Sequence, residues 1–167
     1  MTIGTPVVIS QLYYGYYILM LSAVVVFGVY DIFYRRVPNR VLAGFIPFAL
    51  LAPIVDTIAG LSVFQAIISS LAGAVSGFAI LLTAALTAKD GQGIGGGDIK
   101  LAAVLGFIYG VCGIITVLLI ASLLTVPVGF LHQKATRSQS LRLPFVPFLT
   151  IGCFVVTLMQ IINHSIL

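Results

Sequence analysis

Hydrophobic residues fill this chain in long blocks, separated by short polar or glycine-rich segments. The first block runs roughly from Tyr13 to Tyr34. As a helix it is long enough to cross a hydrocarbon core about 30 Å thick. Tyr13, Tyr14, Tyr16 and Tyr17 cluster at its start, where an interfacial aromatic belt is expected. Arg35, Arg36, Pro38, Asn39 and Arg40 follow, and Pro38 biases Val37 away from helix. A second block, roughly Val41 to Ala59, contains Pro47 and Pro53. Membrane helices tolerate proline where neighbours satisfy the freed backbone groups. After a turn at Gly60-Leu61-Ser62, a third block extends from about Phe64 to Ala88. Its Ser69, Gly73 and Gly77 recur every fourth residue, a spacing that lets another helix approach closely.

The stretch from Ile99 to Leu131 is less simple. Its 33 residues would make one helix about 50 Å long, too long for one span and short for two. Gly110-Val111-Cys112-Gly113 offers a turn in its middle. Charge decides between the options. With two spans, Arg35, Arg36, Arg40, Lys89, Lys100, Lys134, Arg137 and Arg142 all fall on one side, as the excess of Lys and Arg on cytoplasmic loops requires. The expected architecture is therefore all-α and polytopic, one domain over residues 1–167 with about six spans and both termini outside. The fourth span, about Ile99 to Gly110, is short and starts below the membrane surface. Its Ala102, Gly106 and Gly110 form a second small-residue face, suited to the third span. The last span covers about Pro144 to Ile166. No internal repeat is evident.

Composition agrees with that class. Of the 167 residues, 60% are hydrophobic and 7% charged, and the mean hydropathy is +1.21. Soluble domains carry about 25% charged residues. The net charge of +4 reports topology and contact with anionic lipid rather than nucleic acid. Cys112 and Cys153 form no CxxC pair, and His132 and His164 lack metal-ligand spacing, so neither a metal nor a cofactor is expected. Gly91-x-Gly93-x-x-Gly96 matches a dinucleotide fingerprint by letter only, because no βαβ unit surrounds it. No Lys or Arg precedes Arg35, which argues against a cleavable signal peptide.

The chain has no glutamate, so carboxylate chemistry must draw on Asp31, Asp56, Asp90 and Asp98. The topology puts Asp31 and Asp98 on one side at similar depth, although 67 residues separate them. Ionisable residues inside spans are functional candidates. Two carboxylates in one site do not both ionise easily, which leaves a base to activate water and an acid to protonate a leaving amine. Glycines before Asp98 let backbone approach an extended substrate. Helix polarity favours Asp98, at a helix start, as the base and Asp31, near a helix end, as the acid. Plainer readings exist: Asp98 as a helix N-cap, Asp31 as the i,i+4 partner of Arg35, Lys100 as a lysine snorkelling to the interface, and Asp56 and Asp90 as solvated loop residues.

Three segments carry a resemblance. Gly95-Gly96-Gly97-Asp98-Ile99-Lys100-Leu101 resembles the GxGD-x-K signature of type IV prepilin peptidases, with Gly95, Gly97 and Lys100 as its motif positions. Asp31 to Asn39 resembles their first-aspartate segment, and Pro144 to Leu149 the Pro-Phe-x-Pro-Phe-Leu run that opens their last helix. The resemblance implies a GxGD aspartic endopeptidase of the inner membrane with Asp31 and Asp98 as its catalytic pair. Its implied substrate is a prepilin or pseudopilin that loses a short basic leader at the cytoplasmic face. The chain lacks the paired cysteines of the bifunctional members, so a peptidase-only short form is expected, similar to those of Flp/Tad pili. Three other readings stand beside it: a non-enzymatic membrane component of a pilus assembly, a presenilin-like intramembrane protease, and a small ion-coupled transporter with the two aspartates as proton relays, which would usually show mid-span charges or paired inverted repeats.

Overall fold

The computed structural model describes residues 5–34, 39–87, 95–136 and 145–166. They form six helices: α1 (Thr5–Tyr34), α2 (Asn39–Ala49), α3 (Ala52–Ile58), α4 (Val63–Thr87), α5 (Gly96–Thr136) and α6 (Val146–Ile166). No strand occurs among the described residues. The stretches Val8–Tyr34, Asn39–Ile58, Val63–Thr87 and Gly96–Gly129 are long and apolar enough to cross a membrane, and Val146–Ile162 is a shorter apolar helix. The protein is thus an all-α, polytopic membrane protein.

Two helical breaks shape the bundle. The second hydrophobic block is two helices, split at Leu50-Leu51 ahead of Pro53. Proline has no N–H to return to the carbonyl four residues back, at Ala49. The Tyr16 hydroxyl reaches that region instead, donating to the Phe48 carbonyl at 3.2 Å and lying 3.5 Å from that of Ala49. The second break is at Gly110, whose φ of 68° and ψ of −176° interrupt α5. Only glycine adopts that backbone freely. A Cβ on Gly77 would lie 3.0 Å from both the Ala102 carbonyl carbon and Ile114 Cγ1. An unbroken helix would hold those two residues about 18 Å apart. The chain therefore folds back at Gly110, and the long apolar stretch is a hairpin of two arms. The Tyr17 hydroxyl lies 3.5 Å from the Ile108 carbonyl, two residues before the break.

The arm before Gly110 packs on α4 through the two small-residue faces. A Cβ on Gly73 would run into the Gly106 carbonyl oxygen, one on Gly77 into that of Ala102, and one on Gly110 would come within 2.7 Å of Ser69 Oγ. The pairs Ser69–Gly110, Gly73–Gly106 and Gly77–Ala102 step in opposite directions, so the helices run antiparallel at backbone contact. Without a hydrophobic drive between helices in lipid, such close van der Waals packing holds them together.

On α1, the buried face is Tyr17, Met20, Val24, Phe27 and Asp31, recurring every three or four residues. That face meets α6, where Gly28 allows the close approach: a Cβ there would lie 2.6 Å from Thr150 Oγ1 and 3.6 Å from Pro147 Cα. Tyr16 and Tyr17 are buried, at 8% and 1% exposure, so these two are not part of an interfacial belt. They are core residues that occupy carbonyls near the helix breaks.

Candidate active site

Four helix termini gather at one end of the bundle. Asp31 lies one turn from the end of α1, Asn39 begins α2, Asp98 lies in the first turn of α5, and Val146 begins α6. Asp31 continues the buried face of α1 and is 5% exposed. Its Oδ2 accepts a hydrogen bond from the Val146 backbone N–H at 3.2 Å. Asp98 is half-buried, and its carboxylate accepts the backbone N–H of Gly95. The Gly95 carbonyl in turn accepts the amides of Asp98 and Ile99, at 2.9 and 3.3 Å. Gly95 is thus the cap of α5, and the Asp98 side chain, three residues on, returns to its N–H as one half of a capping box, glycine having no side chain to supply the other half. Asp31 and Asp98 stand close enough for their charges to interact. The fold therefore brings together the two acids that the topology had placed at one depth.

Gly95 is exposed, and a side chain there would crowd the carboxylate, with its Cβ 3.3 Å from Asp98 Oδ2. Gly97 is half-buried in the first turn. Lys100 is exposed, and its Nζ donates to Asn39 Oδ1 at 3.3 Å, tying the start of α5 to the start of α2. Asp56 departs from the expectation of a solvated loop residue. It lies in α3, half-buried, and accepts the Tyr17 hydroxyl at 3.0 Å. Asp90, Arg35 and the glycines at 91 and 93 lie outside the described residues. Among those described, no three His, Cys, Asp or Glu side chains gather to hold a metal ion.

The expected division of base and acid rested on Asp31 standing near a helix C-terminus. It also stands at the N-terminus of α6, so helix polarity does not separate the two carboxylates. Sequence reasoning missed the Val146 amide, which no residue letter encodes. Its only signal was Pro147, since proline in a first turn marks a helix start and hence free amides nearby.

A family profile described as the type IV leader peptidase family matches residues 18–130, which include both Asp31 and Asp98. The chain belongs to the type IV leader peptidase family. A curated relative, the prepilin leader peptidase/N-methyltransferase of Bacillus subtilis (strain 168), is 32% identical over 140 residues. That match covers 81% of this chain and 52% of the relative, so the chain spans about half the length of the curated relative it matches. No solved structure matches the chain. Within the type IV leader peptidase family profile fall the Asp31–Asn39 segment, the Gly95–Leu101 segment and the Gly110 hairpin, while the run from Pro144 to Leu149 lies beyond it.

Proposed function

We propose that this chain is an aspartic endopeptidase that removes the short basic leader from a prepilin or pseudopilin. The observation that carries the proposal is the meeting of Asp31 and Asp98 at one end of the bundle, in a chain of the type IV leader peptidase family. The name of the Bacillus subtilis relative supports the substrate class.

In this reading one carboxylate takes a proton from water as the water oxygen attacks the scissile carbonyl. The other gives its proton to the departing amine as the C–N bond breaks. Each carboxylate already has a backbone N–H on one side. A carboxylate has further lone pairs with which to meet water and substrate. Gly95, Gly96 and Gly97 give an extended peptide access to Asp98 without side chains in the way.

The hairpin at Gly110 supports six spans, because the long stretch then enters and leaves on the same side. With all basic loops cytoplasmic, the dyad faces the cytoplasm of the inner membrane and both termini lie outside. The arm from Gly96 to Gly110 is about 21 Å long, shorter than the hydrocarbon core, which sets Asp98 within the leaflet near the cytoplasmic surface. Co-expression with a prepilin, read as a mobility shift on leader removal, tests the proposal. The wild-type chain converts the precursor, whereas Asp31→Asn and Asp98→Asn accumulate in the membrane and leave it uncut. Normal conversion by either variant would refute the dyad.

A further inference from the structure

The first turn of α6 has a single amide to give. Phe145 caps the helix, its carbonyl accepting the N–H groups of Phe148 and Leu149 at 3.1 and 3.2 Å. Pro147 has no N–H. Val146 is left with the one free N–H of that turn, and a buried amide without a partner is costly. Its partner is Asp31 Oδ2, on a different helix 115 residues away.

The approach that makes this bond is built into both helices. Gly28, one turn before Asp31, lets the α6 backbone come within contact distance of α1. Thr150, one turn after Val146, donates its hydroxyl to the Val24 carbonyl of α1 at 3.3 Å and to the Val146 carbonyl at 3.0 Å. Val146 and Leu149 are fully buried beside it. The result is a clamp of Gly28, Thr150 and the Val146 amide around the last turns of α1.

We propose that the Val146 backbone N–H is a positioning donor for the reaction, fixing Asp31 Oδ2 so that the opposite oxygen faces Asp98 and the water between them. This rests on the peptidase reading above. A carboxylate at the end of a helix is free to turn about χ1 and χ2. A directional bond to one oxygen removes that freedom and holds the geometry in which proton transfer is efficient. Val146 does not touch the substrate in this role. It acts through Asp31.

The test removes the N–H in two ways, of which only the second keeps the buried valine side chain. Val146→Pro does so at a first-turn position where proline is well tolerated. Replacing the amide at residue 146 by a backbone ester does so with the valine side chain intact. Both variants are purified as the full chain in detergent and assayed on a prepilin, with kcat and KM measured per folded enzyme. The expected result is a kcat about ten- to a hundredfold lower with KM within about twofold of wild type. A wild-type kcat in the ester variant would overturn the inference, and so would a loss confined to KM or to the yield of folded protein. Asp31→Asn is run in parallel. If it cleaves normally, the dyad itself fails. If it is inactive while the ester variant is not, only the role of Val146 fails.

Discussion

The bundle holds acids at both ends, and the two ends treat them differently. At one end, Asp31 and Asp98 lie within range of each other's charge, and each has a backbone N–H on one side. At the other, Asp56 receives a tyrosine hydroxyl at 3.0 Å, and Tyr17 rests against the rings of Tyr13, Tyr16 and Tyr109 at centroid distances of 4.8, 5.3 and 6.0 Å. Tyr17 and Asp31 lie about 21 Å apart along α1. The difference teaches what separates a strut from a site. The acid at the tyrosine end has a side-chain donor of its own and joins α3 to α1 near the Gly110 break. At the other end the acids are held by backbone amides of helix starts.

The comparison can be broken in four ways. The largest effect is expected at the paired acids: Asp31→Asn and Asp98→Asn each reduce prepilin cleavage by at least about a hundredfold while the protein still accumulates. Next comes the scaffold that aligns them. Gly106→Val drives a branched side chain into the Gly73 carbonyl, so little folded protein is expected in detergent, measured by size-exclusion chromatography and thermal unfolding. Gly28→Ala places a methyl 2.6 Å from Thr150 Oγ1 and lowers kcat by displacing α6 from Asp31. Adding Thr150→Ala removes that oxygen and recovers part of the lost rate, the bond from Thr150 to the Val24 carbonyl being lost with it. The smallest effect on chemistry lies at the tyrosine end. Tyr17→Phe strands a half-buried carboxylate and lowers stability by about 1–3 kcal/mol, with kcat per folded enzyme unchanged. Asp56→Asn keeps an acceptor for Tyr17 and costs less. A kcat loss in Tyr17→Phe comparable to that at the dyad would erase the distinction between the ends.

Much of this arrangement was legible in the residues. Small residues every fourth position on two segments announced a close helix pair, and Ser69, Gly73 and Gly77 do meet Gly110, Gly106 and Ala102. The single-sided distribution of Lys and Arg implied that the chain turns near Gly110, because only a reversal keeps the basic loops together. What was not legible follows from chemistry with two outlets. A tyrosine is equally at home at a lipid headgroup or against a carbonyl freed by a helix break, so Tyr16 and Tyr17 looked interfacial and proved buried. Asp56 read as a solvated residue because it lies near the end of the second block, and nothing in its own segment announced the Tyr17 hydroxyl that meets it. The amide of Val146 is a backbone group, and only the tertiary contact at Gly28 gives it a partner.

The most direct measurement concerns whether Asp31 and Asp98 work as one unit. Residual cleavage rates of Asp31→Asn, Asp98→Asn and the double variant, on one prepilin in detergent, decide it. Two carboxylates that share one water give three equal residual rates, because losing either member already disables the pair. Losses that multiply in the double variant, or a near-normal rate in either single variant, would contradict a shared site.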